Sequence, residues 1–438
     1  MEPMGAVTLT NCQQKALDAV KASRKHITIS GPAGSGKSFL TKLLIQSLGD
    51  RLGIAICAPT HQAKIVLAKM AGLNATTIHS LFMIHPETYE DVRSFGQSKK
   101  PDLSKIRYLI IDEASMVDED LCKIILACIP STCQIIAIGD KSQVQPVRHE
   151  PGVLSPFFTD METFRLVELE EIVRQQAGNP IIEVANKIRV GGWFETKWDR
   201  ENKRGVLQVS GANKMIETIL KKVKCPEDLL NYRLLAYTNN VVDRMNAVVR
   251  RHVYNTSEPF VDNEYLVMQQ PVTKEEEVDG TMCTVVVLNN GEIVKIKPES
   301  IERRTMTINL PYVDTFDVEV ADMVVFDSEE QEKDILVIWD SDSQIQLDSA
   351  LSRAAAQYKS MGARKTRGVK GPWDYFWEVK GQFADTKSLG ASTIHKSQGI
   401  TLKGCGIYTG DMNFATFEIQ TQLAYVAVTR ATDWVLYC

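Results

Sequence analysis

A glycine-rich segment, Gly31 to Ser38 (Gly-Pro-Ala-Gly-Ser-Gly-Lys-Ser), combines residue types that suit a chain of phosphates. Backbone N–H groups turn inward around phosphate oxygens where glycines allow it, here at Gly31, Gly34 and Gly36. Lys37 has the charge and the reach to contact the β- and γ-phosphates, and the hydroxyl of Ser38 is a suitable ligand for Mg²⁺, which prefers oxygen. These residues are candidates for binding ATP with Mg²⁺.

The elements around this segment decide between a phosphate loop and a chance glycine turn. The apolar run 26–30 before it predicts a short buried strand, and the apolar spacing in 39–46 after it predicts a helix. A helix N-terminus at this point adds its positive dipole end to the backbone donors. The order of strand, glycine loop and helix is that of a P-loop, and it makes the chance turn the weaker interpretation.

Two adjacent carboxylates, Asp112 and Glu113, follow the apolar run 108–111, which predicts another strand. Strands and helices alternate here, which is typical of a parallel sheet whose carboxyl ends meet at one edge. We therefore expect Asp112 beside the P-loop as a Mg²⁺ ligand, and Glu113 as the base that orients and deprotonates water. The alternative is that the two acids only cap a helix.

Three further polar residues are candidates for contact with the nucleotide. Gln143 follows the predicted strand 134–138 and suits the γ-phosphate and the attacking water. Arg430 has a guanidinium that, offered across a cleft between domains, stabilises charge on the transferring phosphoryl group. Gln13 lies in the first turn of a helix with Thr10 as its predicted N-cap, and its amide offers an adenine edge both a donor and an acceptor. A solvated polar residue is the alternative for Gln13.

Small donors and a cation follow the predicted strand 54–58 and fall at the same edge of the sheet. They are Thr60, His61 and Lys64, followed further on by Thr77 and His79. Side chains of these types suit contacts with a sugar–phosphate backbone. The net charge of −5 over 438 residues argues against a protein that coats nucleic acid nonspecifically, but it leaves room for a local basic groove.

The composition, 44% hydrophobic and 24% charged, is that of an ordinary globular chain of about three domains. No apolar run has membrane-spanning length, and the N-terminal residues lack the pattern of a signal peptide, so we expect a cytoplasmic protein with no membrane partner. The 9 cysteines include no Cys-x-x-Cys pair, and no histidine stands at zinc-finger spacing from Cys122, Cys128 and Cys133. This pattern favours reduced thiols over a metal site.

Two stretches interrupt the alternating pattern. Residues 81–102 contain two prolines and a glycine and predict a small insertion, for which a hairpin is one form; Phe95 within it is a candidate exposed aromatic tip, or an incidental one. Short β segments from about 264 to 340 predict an inserted antiparallel domain. Within that domain, 284–296 predicts a hairpin that turns at Asn290–Gly291.

Aromatic residues and a basic stretch lie beyond the β segments. The basic stretch is 364–370, and the aromatics are Trp373, Phe376 and Trp377. Cations beside aromatic rings can grip a single strand of nucleic acid, but such rings also form docking cores. We favour the docking core.

The motif segments resemble, in their order along the chain, those of superfamily 1 helicases of the RecD/Pif-like branch. The segments that carry the resemblance are 9–13, 31–38, 58–64, 77–80, 112–115, 139–143, Arg174, 393–399 and 425–431. The chain from about Leu9 onward is also similar as a whole to a phage-encoded member of this branch, with the weakest agreement in the β-rich insertion.

The resemblance implies an α/β fold with two RecA-like P-loop domains, each a parallel sheet flanked by helices. It implies a small insertion in the first domain and a β-rich, barrel-like insertion in the second. The expected bounds are 1–80 and 103–170 for the first domain, 81–102 for its insertion, 171–245 and 386–438 for the second domain, and 246–385 for the β-rich insertion.

Roles for individual residues follow from the same resemblance. It assigns adenine contact to Gln13, and it adds Arg174 to Gln143 and Arg430 as contacts of the γ-phosphate. It makes Phe95 part of a strand-separating pin. The implied catalytic set is Lys37, Asp112, Glu113, Gln143, Arg174 and Arg430. The residues implied to track single-stranded DNA are Thr60, His61, Lys64, Thr77, His79, Thr393 and His395.

The implied function is that of an ATP-dependent helicase that moves 5′ to 3′ on single-stranded DNA and separates fork duplex. The polarity comes from the branch alone. The resemblance also implies a monomeric motor at phage replication or recombination forks, with replication or recombination proteins as partners. Two alternatives stay open at this point: an RNA helicase or RNA-stimulated ATPase, since contacts to the sugar–phosphate backbone do not by themselves exclude RNA, and an ATP-gated clamp that does not unwind. The role of 246–385 is also open.

Overall fold

The computed structural model describes residues 9–23, 25–49, 53–89, 92–97, 100–145, 153–171, 178–278, 281–363 and 370–438. The chain divides into two compact units. The first unit comprises residues 1–83, 99–245 and 390–438, and the second comprises residues 84–98 and 246–389. The first unit contains two mainly parallel sheets flanked by helices, which we call the first and second lobes. Among the described residues, no helix has the length and apolar character needed to cross a membrane.

The first lobe is a six-stranded sheet in which each described pairing is parallel, with strand order β3-β2-β6-β7-β1-β8. Its elements, with a hairpin of the second unit between them, are α1 (Asn11–Ala22), β1 (His26–Ser30), α2 (Lys37–Leu48), β2 (Ile54–Ala58), α3 (His61–Ala71), β3 (Thr76–Thr77), α4 (Ile78–Leu81), the hairpin strands β4 (Ile84–Tyr89) and β5 (Val92–Gln97), β6 (Tyr108–Ile111), α5 (Glu119–Cys128), β7 (Gln134–Gly139), α6 (Pro156–Thr159) and β8 (Phe164–Glu168). The central strands are apolar on both faces because helices cover the sheet, as their buried isoleucines show.

The second lobe begins with α7 (Pro180–Arg189), β9 (Lys197–Asp199), β10 (Arg204–Gln208), α8 (Ala212–Leu220), β11 (Tyr232–Ala236) and α9 (Asn239–Val253). Residue 245 of α9 is the last of the first unit before the chain enters the second.

The second unit is built mainly of antiparallel strands. Its elements after α9 are β12 (Tyr265–Met268), β13 (Val272–Val278), β14 (Thr281–Leu288), β15 (Ile293–Ile296), β16 (Glu302–Ile308), β17 (Phe316–Phe326), β18 (Glu332–Ile338), α10 (Ser341–Ser360), α11 (Pro372–Gly381) and β19 (Thr386–Ser388). The main sheet has the order β16-β17-β15-β12-β19, and β18 pairs with β17. The antiparallel domain is confirmed, and so is the hairpin within 81–102, because β4 pairs with β5.

The hairpin predicted for 284–296 is wrong. Strand β14 pairs with β13, whereas β15 pairs with β12 and β17, so the two segments belong to different sheets. The Asn-Gly turn itself is present, with Gly291 at φ 77°. The buried carboxylate of Glu292 accepts hydrogen bonds from the backbone N–H and the side-chain amide of Asn289, at 2.8 Å and 3.0 Å. The turn therefore redirects the chain between two sheets.

The aromatic cluster of α11 is a packing core, as favoured from the sequence. Trp373 is buried, and its ring meets that of Tyr358 on α10 edge to face at 5.2 Å. Phe376 is buried in the same cluster. Most of the neighbouring basic stretch, residues 364–369, lies outside the described residues.

The chain then returns to the first unit and completes the second lobe. The last elements are β20 (Ala391–Thr393), β21 (Leu402–Ile407), α12 (Phe417–Val428) and β22 (Ala431–Tyr437). The second sheet has the order β20-β11-β21-β22-β10-β9 and is parallel except for the pair β9 and β10. Two α/β lobes therefore present the carboxyl ends of parallel strands, where such sheets bind ligands.

Candidate active site

The P-loop follows β1 and leads into α2. Gly34 and Gly36 have φ values of 84° and 78°, in the left-handed region that favours glycine. The ammonium group of Lys37 donates to the backbone carbonyls of Gly31 and Pro32, the second at 3.1 Å. Ser38 is exposed in the first turn of α2. The loop thus has the backbone shape of a phosphate cradle. The Lys37 ammonium group lies within the loop, hydrogen-bonded to its carbonyls, where a triphosphate would bind.

Gln13 forms a capping box with Thr10 at the start of α1, which confirms Thr10 as the N-cap. The Gln13 Oε1 atom accepts from the Thr10 N–H at 3.1 Å, and the Thr10 hydroxyl accepts from the Gln13 N–H at 3.2 Å. Its Nε2 donates to the Ser35 carbonyl of the P-loop at 3.1 Å. Gln13 is therefore buried against the P-loop, and its predicted contact with adenine stays a prediction.

Asp112 and Glu113 follow β6 directly. The Asp112 N–H donates to the Cys57 carbonyl at 3.0 Å, and its Oδ1 accepts from the Glu113 N–H at 3.0 Å. Burial, together with the neighbouring charge of Glu113, raises the pKa of Asp112 to about 7. A bound cation would offset this desolvation, so the carboxyl fits a metal-ligand role.

Glu113 has an unusual backbone. Its φ is 51°, a left-handed conformation that is strained for a residue with a side chain. Its Oε2 is buried and has no hydrogen-bond partner among the described residues. Buried carboxylate oxygens are normally satisfied. The free acceptor can take a hydrogen bond from a bound water, which suits the predicted role of Glu113 as the base.

Gln143 lies in the loop after β7, which we call the 140–145 loop. Its N–H donates to the Asp140 carbonyl at 3.1 Å. The residue is 6% exposed, and its Oε1 has no hydrogen-bond partner within the described part of the chain. The amide therefore retains an acceptor for a ligand.

Arg430 follows α12 in the second lobe and is buried. Its guanidinium donates to the Val426 carbonyl and the Thr429 hydroxyl, both at 2.9 Å. Burial lowers the pKa of Arg430, and the negative charge of Glu113 acts in the opposite direction. A residue of the second lobe thus interacts electrostatically with the carboxylates of the first. Arg174, the other predicted arginine, lies outside the described residues.

The candidate DNA-binding residues of the first lobe lie at the carboxyl ends of β2 and β3. The hydroxyls of Thr60 and Thr77 cap α3 and α4, accepting from the N–H groups of Ala63 and Ser80, both at 3.2 Å. His61 is buried, and Lys64 and His79 are partly exposed. Capping leaves the two threonine hydroxyls only partly available to a ligand.

The candidates of the second lobe lie at the end of β20 and in the loop after it. Thr393 accepts from the Lys396 N–H at 3.3 Å, and the ring of His395 lies 5.8 Å from that of Tyr237. The loop ends at Gly399, whose φ is 74° and where a Cβ atom would lie 3.0 Å from the Cβ of Ala63 on α3. The structure therefore brings together the loops of the two lobes that carry candidate DNA contacts.

Burial lowers the pKa of His395, so its imidazole is expected to be neutral at pH 7. A neutral side chain that contacts DNA releases no counterion from it. A lysine that contacts a phosphate of a single strand releases a counterion, which changes the slope of log Kd against log salt by about 0.7 per contact. We expect Lys64→Gln to reduce this slope by about that amount and His395→Gln to leave it unchanged. Fluorescence anisotropy of a labelled oligonucleotide over a salt series measures both variants, and an equal reduction in His395→Gln would show a charged imidazole.

Sequence reasoning missed several residues that organise the site. Asp411 is buried, and its carboxylate accepts from the N–H of Tyr237 at 3.0 Å and from the N–H of Thr238 at 2.7 Å, which fixes the end of β11. Tyr425 and Gln398 join the two lobes. Tyr425 and Gln398 fall inside predicted motif segments, but nothing in their spacing identifies their partners. No motif or spacing in the sequence indicated a role for Asp411.

Comparison with known proteins identifies the family. Residues 257–388 match the family described as "Dda helicase SH3 domain", and residues 8–211 match the family described as "AAA domain". The chain is 37% identical over 453 residues to the ATP-dependent DNA helicase dda of Enterobacteria phage T4, covering 98% of this chain and 99% of that protein. The chain belongs to the Dda family of ATP-dependent DNA helicases. Its resemblance to the RecD/Pif-like branch is thereby confirmed.

More distant relatives agree with this family. The ATP-dependent RecD2 DNA helicase of Deinococcus radiodurans is 30% identical over 249 residues, which cover 53% of this chain and 33% of that protein. A crystal structure of Pif1 helicase from Bacteroides in complex with ADP-AlF3 and ssDNA matches with a TM-score of 0.50 and 20% identity, covering 98% of this chain and 92% of that one. This second likeness supports the fold, two α/β lobes with a β-rich insertion.

Proposed function

We propose that this DNA helicase moves 5′ to 3′ along single-stranded DNA and separates the duplex ahead of it. The observation that carries the proposed ATP-driven movement is the meeting of the two lobes at the P-loop, and the 5′ to 3′ polarity is taken from the RecD/Pif-like branch. The first lobe supplies the phosphate loop and two carboxylates, and the second supplies a buried arginine whose charge interacts with Glu113. A nucleotide held between two lobes can couple its hydrolysis to their relative movement.

The residues divide the chemistry among them. The P-loop N–H groups and Lys37 hold the triphosphate, and the oxygens of Ser38 and Asp112 would hold Mg²⁺. Bound Mg²⁺ would neutralise charge on the phosphate oxygens. Glu113 takes the proton of the attacking water, which Gln143 helps to orient. Arg430, with Arg174, stabilises the charge that develops on the transferring phosphoryl group.

Movement follows from a difference in affinity between two states. When the γ-phosphate is lost, the contacts of Gln143 and Arg430 with it are lost too, and the cleft can open. Each opening changes which lobe holds the strand more tightly. The proposed contacts with the strand are Thr60, His61, Lys64, Thr77 and His79 in the first lobe and Thr393 and His395 in the second. Such a difference in affinity is what allows a ligand to drive a conformational cycle.

The test is ATP-dependent unwinding of two matched duplexes, one with a 5′ single-stranded tail and one with a 3′ tail, with ATP hydrolysis followed in parallel. We expect the 5′-tailed duplex alone to open. Opening of the 3′-tailed duplex alone would overturn the polarity. If neither opened while single-stranded DNA still stimulated hydrolysis, the protein would be a translocase or a clamp.

The hairpin of β4 and β5 is proposed to act as the strand-separating pin. Phe95 lies in β5 opposite Pro86, and its backbone alone belongs to the described part. We expect Phe95→Ala to keep DNA-stimulated ATPase activity while lowering the rate of duplex separation severalfold, because an aromatic wedge replaces stacking that the parting bases lose. Phe414→Ala, which removes a phenylalanine that is 81% exposed outside the hairpin, is the control. Equal loss of both activities in Phe95→Ala would make Phe95 a structural residue.

We further propose that the enzyme acts as a monomer at replication or recombination forks in a phage-infected cell. The support is the similarity over nearly the whole chain to a phage helicase. Light scattering during active unwinding tests the monomer, and a defined dimer that alone unwinds would overturn it.

A further inference from the structure

The 140–145 loop is held by two side chains of the second lobe. The phenol of Tyr425 on α12 donates to Oδ2 of Asp140 at 2.6 Å. At the other end of the loop, Nε2 of Gln398 donates to the Val144 carbonyl at 3.2 Å. Both side chains are buried. Gln143 lies between the two points of attachment, so the second lobe fixes the segment that presents this glutamine.

Tyr425 also contacts the P-loop. The N–H of Ala33 donates to the Tyr425 hydroxyl oxygen at 2.7 Å. Burial raises the pKa of Tyr425, so the phenol keeps its proton and donates it to the carboxylate of Asp140. One hydroxyl therefore accepts from the P-loop and donates to the 140–145 loop. Its helix, α12, ends just before Arg430, so the same element carries the proposed arginine contact.

We propose that Tyr425 is a positioning residue for ATP hydrolysis, which acts through the 140–145 loop on Gln143, with Gln398 as the second attachment. The inference rests on the proposed role of Gln143 in orienting water. Within the loop, Asp140 Oδ1 accepts from the Ser142 N–H at 2.9 Å. The same carboxylate therefore bonds both the phenol and the backbone of the turn that precedes Gln143. Separation of the lobes breaks both attachments, and the loop that carries Gln143 is then held by contacts of the first lobe alone.

Tyr425→Phe tests the inference because it removes one oxygen atom and keeps the ring in the core. A displacement of about 1 Å in a positioning group can cost up to about 10²-fold in rate. We expect kcat for DNA-stimulated hydrolysis to fall about tenfold, with KM for ATP changed less than about twofold, since the group acts on the transition state. A rise in KM at unchanged kcat would overturn the inference, and so would unchanged values of both.

Tyr358→Phe is the matched control. Tyr358 is also fully buried, and its phenol donates to the Pro311 carbonyl at 2.9 Å in the second unit. Tyr425→Phe loses two phenol hydrogen bonds and Tyr358→Phe loses one, so both are expected to lower the melting temperature. Tyr358→Phe is expected to keep kcat. If Tyr425→Phe lowered the melting temperature alone, its role would be structural and the inference would fall.

A double-mutant cycle shows whether Tyr425 acts through Gln143. In a Gln143→Ala background, Tyr425→Phe is expected to have less than about a twofold further effect on kcat, because the group that it positions is gone. Fully multiplicative effects would overturn the inference. The wild-type protein in the same assay separates this result from the proposed function. An absence of DNA-stimulated hydrolysis in the wild type would contradict the proposed function. An active wild type in which the two substitutions have multiplicative effects would contradict only the role of Tyr425.

A second variant keeps the inference testable if Tyr425→Phe does not fold. Gln398→Met removes the donor to Val144 and keeps a side chain of similar length and flexibility. It is expected to lower kcat severalfold, with KM for ATP changed less than about twofold. Wild-type kinetics in Gln398→Met would overturn the role of Gln398 as the second attachment of the 140–145 loop.

Discussion

Glu113→Gln is expected to retain ATP binding and to lose turnover by about 10²- to 10⁴-fold, the range that a positioned general base contributes. The substitution preserves the shape and size of the side chain, so the left-handed backbone at φ 51° is not challenged by a bulkier group. It replaces one carboxylate oxygen by an amide nitrogen, which cannot accept a proton from water. Steady-state hydrolysis with single-stranded DNA measures the loss, and a fluorescent ATP analogue measures binding.

Glu119→Gln is the matched control for this experiment. Glu119 lies at the start of α5, shortly after Glu113 in sequence, and its exposed carboxylate pairs with Lys123 at 2.7 Å. An exposed pair of this kind contributes little to stability, so we expect wild-type turnover. Near-wild-type turnover in Glu113→Gln would remove Glu113 from the role of base. Loss of both binding and turnover would mean that the side chain also shapes the nucleotide site.

Much of the α/β architecture could be predicted from local sequence because the central strands carry their own signal. The apolar runs at 26–30, 54–58 and 108–111 coincide with β1, β2 and β6. Strands buried on both faces read as continuous apolar runs, and the polar residues that follow them must emerge at one sheet edge. For this reason Thr60 and Asp112 could be placed at the carboxyl ends of their strands before the structure was known.

Strand pairing in the second unit could not be predicted in the same way. An Asn-Gly turn specifies a local reversal of the chain, but the partners of each strand depend on contacts distant in sequence. The two strands beside Gly291 accordingly enter different sheets.

The hydrogen bonds between the two lobes could not be predicted from local sequence either. Tyr425 and Asp140 are separated by 285 positions in the chain, and no local pattern reports such a pair. Gln13 shows a related limit: its amide suits adenine by type, yet the structure also uses it in a capping box and on the P-loop.

Arg430→Lys is expected to lower kcat by about 10³-fold or more while ATP still binds, because an arginine that stabilises the transferring phosphoryl group contributes about 10³–10⁵ in kcat. Lysine keeps the charge but loses the planar fork of donors. In the structure that fork already contacts Val426 and Thr429, so its direction is set by the end of α12. The ammonium group of a lysine is a point charge on a flexible stem and cannot reproduce this direction. Single-turnover hydrolysis, which isolates the chemical step, is the measurement.

Arg233→Lys controls for the general cost of changing a buried arginine. Arg233 lies on β11 in the same lobe, is 2% exposed, and donates from Nε to the Leu229 carbonyl at 3.3 Å. Burial lowers the pKa of Arg233 to about 10, and burial also lowers the pKa of Arg430, so a lysine would be desolvated at both positions. We expect Arg233→Lys to lower the melting temperature and to keep the single-turnover rate. If the two variants lost rate equally, the effect of Arg430→Lys would come from the fold of the second lobe. A loss confined to Arg430→Lys assigns the planar guanidinium of this arginine to the phosphoryl transfer itself.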